Sequence, residues 1–149
     1  MVDASQLEKL TTQAKADSVQ QLVVGAVVQH EGKVLLLQRP DDDFMPGIFE
    51  LPSGKVEPGE GLDEALRREV MEESGLTVSV IREYIGSFDY ASGSGKKSRQ
   101  FNFAVDVRAA EPIELSEHDA YLWAPLHEDI PVTDAVKDVL GKFRELRAV

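Results

Sequence analysis

Apolar runs at Val19 to Val28 and at Lys33 to Gln38, separated by the polar quartet Gln29-His30-Glu31-Gly32, predict a β-hairpin near the start of the chain. Ahead of it, Ala4 to Ala16 is rich in helix formers, with Asp3 or Ser5 available as a cap, and predicts a short helix. From Arg39 to Gly61 the density of Pro, Gly and Asp breaks the periodicity. This stretch is expected to be loop apart from a brief strand at Ile48 to Leu51. Helical spacing returns at Leu62 to Ser74, and Gly75 stands where a left-handed cap would end the helix. Thr77 to Phe88, Phe101 to Val107 and Ala120 to Ala124 predict three further strands, the first two joined by a flexible Ser92-Gly93-Ser94-Gly95 loop. Thr133 caps a last helix that runs to Leu146. No repeat or long linker divides the chain. The pattern predicts an α/β fold, a mixed β-sheet packed between helices in one domain spanning 1–149, with 1–17 as a helical extension.

Composition narrows the partners. The chain of 149 residues is 42% hydrophobic, enough to bury a core, and carries 27 acidic against 16 basic side chains for a net charge of −11. Such a surface repels long nucleic acid and anionic membrane, which are not expected as partners. A small phosphorylated substrate remains compatible, because divalent cations invert the field of an acidic cluster. The absence of cysteine removes disulfides, thiolate metal sites and cysteine nucleophiles. Leu22 to Val28 is too short to span a bilayer, and the N-terminus lacks the layout of a signal peptide, so a cytoplasmic location is expected.

The helix at Leu62 carries the strongest chemical signal. Leu62, Ala65 and Leu66 begin an apolar stripe that should continue at 69 and 73 if it only packed on a core, but those positions are Glu69 and Glu73, with Glu72 beside them. Unpaired carboxylates are costly to bury, and the last turns of a helix prefer positive charge. A solvated acidic face is the ordinary reading of such a helix. The placement on the inward stripe favours hard divalent cations between the acids instead, and oxygen-only ligands select Mg2+, Mn2+ or Ca2+ over zinc.

Reading outward from that helix gives Gly54-Lys55-Val56-Glu57-Pro58-Gly59-Glu60, seven residues, then Arg68-Glu69-Val70-Met71-Glu72-Glu73-Ser74-Gly75-Leu76. This resembles the Nudix box, G-x5-E-x7-R-E-U-x-E-E-x-G-U with U aliphatic, at every specified position over 23 residues. The resemblance implies the Nudix fold, a loop-helix-loop motif on a mixed sheet in an α/β/α sandwich. By the same resemblance Glu69, Glu72 and Glu73 would ligate Mg2+ (or Mn2+) together with the backbone carbonyl of Gly54. Glu60 would support the site, and Arg68 would orient a glutamate through an ion pair. One departure is Ser53-Gly54 where many relatives have Gly-Gly.

Nudix enzymes need a base to activate water, and two candidates stand open: Glu69, and Glu117 in the Ser116-Glu117-His118-Asp119 segment. His118 and Asp119 are weaker candidates, and His30 and His127 read as surface residues. Signatures of NADH and ADP-ribose pyrophosphatases are missing, and the residual likeness is to the MutT branch, which converts nucleoside triphosphates to monophosphate and pyrophosphate. Arg39 and Lys55 would then meet the phosphates, and Asp134 would face the nucleobase or merely complement its helix dipole. Lys96, Lys97 and Arg99 would either reach phosphate as well or form a solvated hairpin loop, the second being the ordinary reading. The alternatives are a nucleotide-sugar or ADP-ribose-type diphosphatase, or a nucleotide sensor without turnover. The expected partner is a small nucleotide-like diphosphate, with a homodimer compatible with the chain.

Overall fold

The computed structural model describes residues 1–40, 47–126 and 129–147; His127 lies outside them. The chain order is α1 (Ala4–Ala16), β1 (Gln21–His30), β2 (Lys33–Gln38), β3 (Phe49–Glu50), β4 (Ser53–Lys55), α2 (Leu62–Ser74), β5 (Val78–Ala91), β6 (Lys97–Val107), β7 (Ala120–Pro125) and α3 (Asp134–Arg147). The seven strands form one mixed sheet in the order β3-β2-β1-β6-β5, with β4 added to β1 and β7 to β2. The β1–β6 pair is parallel over Gln21 to Gln29, and the remaining pairs are antiparallel.

The β1–β2 hairpin forms, but the two strands pair directly only at Gln29↔Val34 and His30↔Lys33. Beyond that point they separate. β1 accepts β4 through Val23↔Lys55, Val24↔Gly54 and Gly25↔Ser53, while β2 accepts β7. β4 lies inside the stretch expected to be loop. Three residues of Ser, Gly and Lys have no β-propensity signal, and their strand comes from the free edge that β1 offers.

Both faces of the sheet are covered, which gives the α/β/α layering. One core joins Val24, Ala26, Val28, Phe101, Phe103 and Val105 of the sheet to Leu62, Ala65, Leu66 and Val70 of α2 and Ala14 of α1. The other joins Val27, Leu36 and Ala104 to Val136, Val139 and Phe143 of α3. Each large apolar side chain buried in these layers contributes about 1.5–3 kcal/mol. Caps set the helix ends. Asp3 accepts from the Gln6 amide at 2.9 Å, Thr133 from the Val136 amide at 3.3 Å, and Gly75 closes α2 at φ 76°. No helix among the described residues is long and apolar enough to cross a membrane.

Candidate active site

Helix α2 changes character along its length. Its first half buries Leu62, Ala65 and Leu66, with Asp63 and Glu64 favourably placed at the positive end of the dipole. Gly61 has no side chain to offer as a cap, and the Glu64 carboxylate accepts from the Gly61 amide at 3.0 Å instead. In the second half the inward face passes from Val70 to two acids. The Glu69 and Glu73 side chains are only 14% and 12% exposed, whereas Glu72 is 56% exposed and turned outward.

What these acids face is β4. A Cβ at Gly54 would fall 2.1 Å from the Glu69 carboxyl carbon, so only glycine lets that carboxylate rest on the strand. One residue earlier the Ser53 amide donates to Glu73 Oε1 at 2.6 Å. Arg68 ties the group together. Its Nε and Nη2 donate to the two oxygens of Glu60 at 2.7 and 2.8 Å, its Nη1 to Glu69 Oε1 at 2.7 Å, and its Nη2 also to the Lys55 carbonyl at 2.9 Å.

The electrostatics divide these acids. The Arg68 guanidinium and the Glu57 amide draw the Glu60 carboxyl down to about 2. Burial instead pushes Glu73 up to about 7 against the opposing Ser53 amide, and it raises Glu69 despite the contact with Arg68. Each is a carboxylate short of positive charge.

Glu69, Glu72, Glu73 and Glu117 line one cleft of about 730 Å3 with Ser53, Gly54 and Lys55. Glu117 comes from the segment before β7 and is exposed on the rim. That segment is fastened to α2 by the Glu114 amide, which donates to the Ser74 carbonyl at 2.9 Å. Among the described residues no three carboxylate or imidazole groups already converge as ligands, because Glu69 is turned to Arg68 and Glu73 to Ser53. The donor chemistry nonetheless suits a hard cation: all carboxylate oxygen, two acids held above their ordinary range, and the bare backbone of Gly54 beside them.

Arg39 sits beside the site with its Nε 3.1 Å from both oxygens of Glu50. Glu50 in turn meets His118 Nε2 at 3.1 Å. Against burial, which favours the neutral acid, the bonds from His118 and Arg39 hold Glu50 below its ordinary range. Sequence reasoning passed over Glu50 and ranked His118 low. The available signal was a single charge in an otherwise apolar strand next to the box. Asp134 is exposed in the first turn of α3 and does not line the acidic cleft. Arg99 and Lys97 are turned to α1: Arg99 pairs with Asp17 and Asp89, and Lys97 Nζ donates to the Asp17 carbonyl at 2.7 Å. His30 packs on the Trp123 ring at 5.9 Å between centroids.

Comparison with known proteins identifies the family and the fold. A family model described as the NUDIX domain matches residues 19–142. A CTP pyrophosphohydrolase of Escherichia coli (strain K12) is 35% identical over 129 residues, covering 85% of this chain and 93% of that protein. The nucleoside triphosphatase NudI of Escherichia coli is 33% identical over 127 residues, covering 76% of this chain and 90% of its own. The crystal structure of a MutT protein from Methanosarcina mazei Go1 superposes with a TM-score of 0.74 at 29% identity, covering 87% of this chain and 96% of that one. With its box intact and folded around an acidic cleft, the chain belongs to the Nudix hydrolase family.

Proposed function

We propose that this protein is a Mg2+- or Mn2+-dependent pyrophosphohydrolase that converts a nucleoside triphosphate-like substrate to nucleoside monophosphate and pyrophosphate. The observation that carries this reading is that Glu69, Glu72, Glu73 and Glu117 all line one cleft beside Gly54. The substrate class is supported by relatives named as a CTP pyrophosphohydrolase and a nucleoside triphosphatase.

Glu69, Glu72, Glu73 and the Gly54 carbonyl would hold the cation. Once bound, it supplies a Lewis acid that offsets phosphate charge and acidifies a water. Glu117 accepts the proton of the water that attacks phosphorus in line, and Glu69 is the other acid placed to do so. Arg68 keeps Glu69 oriented and ties it to the Glu60 loop. Lys55, exposed at the end of β4, and Arg39, beside Glu50, contribute positive charge toward the phosphates. Asp134, projecting from the first turn of α3, takes part in choosing the base.

The test is product analysis by ion-exchange chromatography on a panel of nucleoside triphosphates with Mg2+. Monophosphate and pyrophosphate are the expected products. Diphosphate with inorganic phosphate, or no turnover on any member, overturns the reading. On the same panel Asp134→Ala should change the ratio of kcat/KM between bases that differ in their donor groups.

A further inference from the structure

One imidazole packed behind Glu73 has no role in the chemistry above. The His118 side chain is 6% exposed and wedged between two carboxylates, with Nε2 3.1 Å from Glu50 Oε1 and Nδ1 3.8 Å from Glu73 Oε2. Nδ1 is buried without a hydrogen-bond partner, and among the described residues it is the only buried side-chain nitrogen or oxygen so placed. Buried polar atoms are nearly always satisfied, so an exception beside an acidic cleft calls for an explanation.

The neighbours decide which ring nitrogen donates. Glu50 is fixed from its other side by Arg39 Nε, 3.1 Å from each oxygen, and an ionised carboxylate only accepts, so Nε2 is the donor there. Ser53 occupies Glu73 Oε1, which leaves Oε2 as the oxygen facing Nδ1. Glu73 is therefore hydrogen-bonded by a β4 amide on one oxygen and faced at 3.8 Å by an imidazole nitrogen on the other. The Asp119 amide donates to the Gln38 carbonyl at 3.2 Å, which pins the chain immediately after the ring to the end of β2.

We propose that His118 is a positioning residue: its ring, set between Glu50 and Glu73, fixes the direction in which Glu73 presents its carboxylate. The proposal rests on the reading of Glu73 as a cation ligand. Loss of a partner that orients a ligand typically weakens metal affinity about 10- to 100-fold.

The experiment measures Mn2+ dissociation constants by electron paramagnetic resonance for the wild type, Glu73→Gln, His118→Gln and His118→Asn, with a melting curve for each. Glutamine reaches toward Glu50 but leaves nothing at the Nδ1 position. Asparagine keeps an amide near Nδ1 and gives up Glu50. Binding should weaken about 10- to 100-fold in His118→Gln and stay within a few-fold of wild type in His118→Asn. If Glu73→Gln binds like the wild type, the ligand reading itself falls, and the proposal with it. If Glu73→Gln weakens binding and His118→Gln does not, the proposal alone is overturned. Equal losses in both His118 variants, in step with their melting temperatures, also overturn it, because that is the behaviour of a packing residue. Should the variants fail to fold, nitrogen NMR of the wild-type imidazole decides: Mg2+ must shift the His118 nitrogen facing Glu73 more than the one facing Glu50, and unmoved signals refute the proposal.

Discussion

Two arginines in this molecule are each clamped by carboxylates, and the two clusters are balanced differently. Arg99, on β6, is shared by Asp17 and Asp89 at 2.6 to 3.0 Å, and their hydrogen bonds to it draw both carboxyls below the ordinary range. Arg68 gives two N–H groups to Glu60 and one to Glu69, while Glu72 stands 3.3 Å away and Glu73 lies beyond. Only Glu60 there is strongly drawn down. Glu69 and Glu73 are raised by burial. The first cluster is complete and joins α1 to the sheet. The second lacks positive charge at the point where the family box places its acids, and the proposed cation would supply it.

The contrast is broken most severely by removing the cation. Excess EDTA should reduce phosphate-ester product to background in the wild type and leave the fold intact by circular dichroism; full turnover in EDTA would falsify the cation-based reading. Next come Glu69→Gln and Glu73→Gln. Each is expected to lower kcat by on the order of 10³-fold, within the usual range for losing a group at the reacting centre, without lowering the melting temperature of the metal-free protein. Glu117→Gln should cost about 10²-fold or more at saturating Mg2+ if it is the base. A change of only a few-fold would move that role to Glu69.

A pH titration of stability sharpens the comparison with a smaller signal. Glu73 has a folded-state value of about 7 against an ordinary 4.5, so its contribution is present below 4.5 and is lost as pH rises through 7. Metal-free protein should therefore lose stability across that window, and Mg2+ should raise the melting temperature more at pH 8 than at pH 5. Asp17 and Asp89 work in the opposite sense, since their values lie below 3.8 and their contribution disappears only as pH falls beneath that point. The smallest effect belongs to Asp89→Asn. Solvent screens this pair, so the melting temperature should fall by no more than about 3 °C, with kcat unchanged.

The parts of this architecture governed by local periodicity could be read from the sequence. The limits of α2, its Gly75 cap and the inward Glu69 and Glu73 all follow from helical spacing and from the chemistry of glycine. The β5–β6 hairpin proved longer than its apolar core suggests. It includes Asp89-Tyr90-Ala91 and Lys97 to Gln100, which are bound across the strands by Arg99 and Asp89. Its Ser92-Gly95 end is a tight turn closed by the Ser92 amide on the Lys96 carbonyl at 2.9 Å. β4 and the contact between Glu50 and His118 were out of reach for a different reason. Both are made by segments distant in the chain, 68 residues apart in the second case, and no local pattern encodes such a meeting.

The hydrogen bond from the Glu114 amide to the Ser74 carbonyl has a kinetic consequence. It joins the last turn of α2 to the segment that carries Glu117 and His118, so neither can fray alone without breaking the same bond. Local opening in proteins proceeds in cooperative units, and deuterium uptake at the Glu114 amide therefore times the joint opening of both walls of the cleft. A slow Glu114 proton would mean that the acids of the two segments stay assembled between turnovers rather than gathering anew around each substrate.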